Sequence, residues 1–136
     1  MEPPIEPTPN VARPKETTSA IQFLYASLAI GLIRAVFGLT QTASGAALIL
    51  AALIVISVFA LGFFLVWKIS SGRNWARIIL LVLVLINLPF AVLANVAELK
   101  RSVFSGSLSI LIEAILWIGT YLLFTRNSNL WFRSRK

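Results

Sequence analysis

Apolar residues run along this chain in four long blocks, Ala20–Leu39, Ala46–Trp67, Ile78–Ala97 and Val103–Phe124, with short polar breaks between them. Each block holds about 20 residues or more, and at about 1.5 Å of helical rise per residue that length crosses a hydrocarbon layer about 30 Å thick. The second and third blocks are apolar on every side, so they keep no polar face for water. The breaks Thr40–Gly45 (uncharged), Lys68–Arg77 (basic) and Glu98–Ser102 (mixed) are so short that successive helices must be antiparallel neighbours. The pattern predicts an all-α protein, a transmembrane four-helix up-down bundle whose solvent is lipid.

Three regions follow. Residues 1–17 form a polar tail in which Pro3, Pro4, Pro7, Pro9 and Pro14 oppose helix formation, so disorder is expected there. Residues 18–126 form the four-span membrane domain. Residues 127–136 form a basic, aromatic tail, expected to lie in the membrane interface. A Pro- and Glu-rich flank, excess length and the internal Arg34 separate the first block from a secretory signal segment.

Lysine and arginine set the orientation. Arg13, Lys15, Lys68, Arg73, Arg77, Arg126, Arg133, Arg135 and Lys136 put nine positive charges on one side, against Lys100, Arg101 and at most Arg34, three, on the other. Positive charge favours the cytoplasmic face, so both termini are expected to be cytoplasmic. Trp67, Trp75 and Trp131, with Phe132, Tyr25 and Tyr121, fall toward the same interface. Trp67, Arg73, Trp75, Arg77, Trp131 and Arg133 therefore read as interfacial anchors. In the middle loop, Gly72 suits a left-handed helix stop and Asn74 the N-cap of the third span.

Composition narrows the chemistry further. The chain has 136 residues, 58% hydrophobic and 12% charged, with no Cys and no His. It has no Asp either: its five acidic residues are all Glu, and Glu2, Glu6 and Glu16 lie near the N-terminus. Thiolate and imidazole chemistry are excluded, and no pair of carboxylates is spaced for acid–base catalysis, so no enzyme activity and no cofactor or metal is expected. The net charge of +7 sits at span ends and forms no basic stripe, which argues against nucleic acid and for anionic lipid headgroups as partners.

The polar groups inside the spans are few. Arg34 in the first span and Glu113 in the fourth would each cost about 2.5–3.5 kcal/mol at the bilayer centre. Neutralising one another is the obvious remedy, since the first and fourth spans of such a bundle are neighbours. Ser27, Gly31, Arg34 and Gly38 share one helix face, and Gly106, Ser109, Glu113 and Thr120 share another. Asn87, two residues before a helix-kinking Pro89, reaches a similar depth, so Arg34, Asn87 and Glu113 make a candidate intramembrane cluster.

The loop Gly72-Arg73-Asn74-Trp75-Ala76-Arg77 and the ending Ser128-Asn129-Leu130-Trp131-Phe132-Arg133 resemble those of small, uncharacterised four-span bacterial inner-membrane proteins. The resemblance implies a multi-pass location in a cell inner membrane and carries no activity. The leading expectation is a non-enzymatic structural, accessory or regulatory membrane subunit, with a membrane-protein partner or a second copy of itself. The alternative is a small secondary transporter or proton-coupled carrier using Glu113.

Overall fold

A computed structural model describes residues 12–42 and 45–134. Most of the expected N-terminal tail, residues 1–11, thus lies outside the described residues, as do 43–44 of the first linker and 135–136. The described chain is all helical: α1 (Lys15–Thr42), α2 (Ala46–Ser70), α3 (Asn74–Arg101), α4 (Val103–Leu122) and a short α5 (Arg126–Arg133). The first four are long and apolar enough to cross a membrane. By helix length and hydropathy the chain is a multi-pass membrane protein.

The helices outrun the apolar blocks because the flanking residues are good helix formers. Ala97-Glu98-Leu99-Lys100-Arg101 contains no breaker, so α3 absorbs most of the predicted third linker. Only Ser102 separates α3 from α4, and its Oγ accepts from the Ser105 amide at 3.4 Å as an N-cap. The turn is so tight that a Cβ on Gly106 would lie 2.7 Å from the Leu99 Cα. α1 likewise begins at Lys15, so residues 15–17 are helical rather than tail.

The α2–α3 turn closes as a Schellman motif. Gly72 takes φ 81°, its amide donates to the Ile69 carbonyl at 2.9 Å, and the Arg73 amide donates to Lys68 at 3.1 Å. Asn74 departs from the expected N-cap role. Arg73 occupies that position without a side-chain cap, while Asn74 is the first helical residue and its Oδ1 accepts from Arg77 Nε.

Each long helix packs on two neighbours in a square, α1 against α2 and α4, α3 against α2 and α4, and α5 folds back onto the start of α1. The end of the bundle carrying the α2–α3 turn, the start of α1 and α5 is here called the terminal end. The other, carrying the α1–α2 and α3–α4 turns, is the hairpin end. The packed core sits at the terminal end, where Ala20, Ile21, Leu24, Leu65, Val66, Ile69, Leu80, Val84 and Leu123 meet. Most of the remaining surface is apolar and exposed, as lipid-facing helices require.

Candidate functional site

Toward the hairpin end the square comes apart. α2 buries only Leu65, Val66 and Ile69, and α3 only Ala76, Arg77, Leu80 and Val84, all near the terminal end. Beyond them a cleft of 920 Å³ lies among α1, α3 and α4, and none of its lining residues comes from α2. Its walls carry small residues, among them Gly31, Ala35 and Gly38 on α1 and Ala91 and Ala94 on α3. Small side chains let another backbone approach closely inside a membrane.

The mouth of the cleft is held by a polar ring drawn from three helices. Arg34 of α1 forms an ion pair with Glu98 of α3 and also donates to Ser109 Oγ of α4. Ser109 in turn donates to Glu98 Oε2 at 2.5 Å, with the Ser105 carbonyl at 3.1 Å as a second acceptor. The carboxylate that meets Arg34 is therefore Glu98 and not Glu113. By helical rise Arg34 lies about 12 Å from the end of α1, Glu98 about 4–5 Å from the end of α3 and Glu113 about 15 Å into α4, so the long Arg34 side chain reaches toward the mouth to meet Glu98. Pairing near the mouth leaves the two side chains 27% and 34% exposed, so less charge is desolvated than in a deeper pair.

That pairing has a measurable signature. Arg34→Leu and Glu98→Leu should each lower stability in detergent micelles by about 1–2 kcal/mol, a value kept low by the partial exposure. The double variant should lose less than the sum, while Arg34→Leu combined with Glu113→Leu should be close to additive. Thermal unfolding of the three single variants, Glu113→Leu included, and the two double variants reads the coupling, and additivity at 34 and 98 would remove the ring as a structural device.

Glu113 stays in the cleft without Arg34. Its Oε1 is buried and has no hydrogen-bond partner. Asn87 and Arg101 also line the cleft and are exposed within the single chain, and the half-buried Asn95 lines it too. Arg34, Asn87 and Glu113 thus share one cavity, but the bonded cluster is Arg34, Glu98 and Ser109. The apolar pattern ends the third block at Ala97 and leaves Glu98 in a linker. The signal that could have found it is the unbroken helix-forming run through Arg101.

The terminal end is organised differently. Trp67 and Trp75 are exposed on either side of Phe64, with ring centroids 6.2 and 6.4 Å from it, and Lys68 Nζ lies 4.5 Å from the Trp67 centroid. Arg73 and Arg133 are exposed as well. Trp131 and Arg77, read from sequence as surface anchors, are instead buried, 1% and 8% exposed. The cause is α5, which brings Ser128, Trp131 and Phe132 onto the bundle. Ser128 Oγ and Thr17 Oγ1 share a buried hydrogen bond of 2.9 Å, and Asn127 Nδ2 donates to Glu16 at 2.9 Å. Arg77 Nη1 donates to the Leu123 carbonyl at 3.0 Å, and its guanidinium lies 4.5 Å from the Phe132 centroid and 5.2 Å from that of Phe124.

Among the described residues no cluster of three His, Cys, Asp or Glu could hold a metal ion. The polar groups of the cleft are the carboxylates of Glu98 and Glu113, the guanidinium groups of Arg34 and Arg101, the amides of Asn87 and Asn95, and serine hydroxyls, inside an apolar bundle. Comparison with protein-family models, with curated proteins and with solved structures finds no match for the chain.

Proposed function

We propose that this chain is a non-enzymatic accessory or regulatory subunit of a bacterial inner membrane, with both termini and the α2–α3 turn facing the cytoplasm. The observation that carries the reading is the cleft with three helical walls. In the hairpin half, α2 and α3 bury no residue, and the polar cavity lacks a wall from α2. A transmembrane helix of a partner supplies that wall, and the small residues of α1 and α3 admit it. The asymmetry of positive charge supports the orientation. Alkaline phosphatase fused after Thr42 should be active and after Gly72 inactive; the reverse result would invert the topology.

The absence of cysteine makes the partner test clean, because any introduced thiol is the chain's only one. Ala94→Cys, on the cleft wall, should form a discrete cross-linked adduct in native membranes, whereas Leu93→Cys, on the 70% exposed neighbouring residue, should not. Equal labelling at both positions would sink the reading.

The unpartnered Glu113 oxygen favours one second reading, a carrier in which Glu113 exchanges a proton or binds a cation. The packed terminal end leaves such a site open from one side only, so transport requires that end to part. Glu113→Gln should then abolish flux into proteoliposomes while the protein stays folded. Unchanged flux would exclude Glu113 as the carrying group.

A further inference from the structure

We propose that the terminal end holds the phosphate of an anionic lipid headgroup, gripped by Arg77, Arg126 and Arg133. This goes beyond the partner site of the cleft and lies at the opposite end of the bundle.

A second cavity, of 800 Å³, opens there between the start of α3 and α5. Arg77 lines it from α3, and Arg126, Asn129, Leu130 and Arg133 line it from α5. The α5 residues recur at spacings of three, one and three, so they occupy one helix face. The opposite face of α5, with Ser128, Trp131 and Phe132, is the face that packs on the bundle. Docking of α5 thus presents both of its arginines to the cavity.

The charge balance of this cavity is one-sided. Among the described residues, three guanidinium groups line it and no carboxylate does. Arg77 is 8% exposed, yet its hydrogen bonds go to neutral groups, Asn74 Oδ1 and the Leu123 carbonyl. Aromatic faces give it partial compensation. Among the described residues the ion pair of this chain is Arg34–Glu98, at the other end. A nearly buried cation with two further cations beside it calls for an anion from outside the chain. The planar arginine fork matches phosphate oxygens two at a time.

The occupant is an amphiphile rather than a free ion because the site is apolar beside its charges. Leu130 lines the cavity and is 55% exposed, and Phe124 forms another part of the wall. The site also lies at the end of four spanning helices, the level at which headgroup phosphates sit.

The test uses the purified full chain in phosphatidylcholine nanodiscs with and without phosphatidylglycerol, read by native mass spectrometry and by thermal unfolding. One phosphatidylglycerol should be retained preferentially, with a raised Tm. Arg126→Gln with Arg133→Gln should weaken retention by about tenfold or more, each change removing a charge-assisted contact. Both side chains of that variant are exposed or at the cavity rim, so its Tm in pure phosphatidylcholine should match the parent. Arg73→Gln, an exposed arginine outside the cavity, should leave retention unchanged. Equal retention of phosphatidylcholine, or an Arg73→Gln loss as large as that of the double variant, would overturn the site. The same Tm rise with inorganic phosphate alone would overturn the lipid as its occupant.

Discussion

Trp131→Ala should release α5 from the bundle and lower stability by about 3–5 kcal/mol, the range for truncating a fully buried tryptophan. The ring is 1% exposed, stands edge-on to Phe132 with centroids 4.8 Å apart, and lies 5.4 Å beneath the Arg13 guanidinium. α5 has eight residues, too few to persist as an isolated helix. Its location matters to the magnitude. Inside lipid a truncated side chain loses packing but no hydrophobic transfer, since the surroundings are as apolar as the core. α5 lies beyond the spanning segments, where water can reach the exposed surface, so both terms apply. Thermal unfolding in detergent micelles reads the loss, and trypsin should cut faster at Arg126 and Arg133. Trp67→Ala is the matched control: that ring is 54% exposed, and its removal should change stability by less than about 0.5 kcal/mol. A Trp131→Ala protein as stable as the Trp67→Ala protein would mean that α5 is not docked.

Arg77→Ala should cost about 2–4 kcal/mol, combining two lost hydrogen bonds with two lost cation–π contacts. The side chain ties three elements at one point: Asn74 at the start of α3, the Leu123 carbonyl at the end of α4, and Phe132 on α5. The Leu123 carbonyl is that of the C-cap residue of α4, at the end where the helix dipole favours a cation. Arg77→Met separates packing from polarity. Methionine replaces much of the aliphatic stem but donates no hydrogen bond, so it should recover about half of the alanine loss. Full recovery by Met would show that Arg77 acts by volume alone.

These two residues also show where reading the chain linearly fails. A tryptophan or arginine at the edge of an apolar block has the pattern of an interfacial anchor, and Trp67, Trp75 and Arg73 are indeed exposed there. Trp131 and Arg77 have the same local pattern and the opposite fate. The difference lies in α5, whose signal is short: a Thr125 at the N-cap position, then Ser128, Trp131 and Phe132 at spacings of three and one on a single face. Eight residues with that face are weak evidence for a helix until the bundle supplies a surface to cover. The Arg34 partner was misplaced for a related reason. An apolar block that ends at Ala97 leaves Glu98 in the linker between the third and fourth spans, but α3 continues through it to Arg101.

Hydropathy and span length suffice to place this polypeptide in lipid as four antiparallel helices, because crossing a bilayer is a matter of local length and composition. Which carboxylate neutralises Arg34, which rim residues are buried, and where the bundle parts into a cleft depend on contacts between segments up to 111 residues apart, such as Thr17 with Ser128. Those contacts are settled by side-chain shape and hydrogen bonding among the assembled helices, where lipid offers polar groups no competing partner.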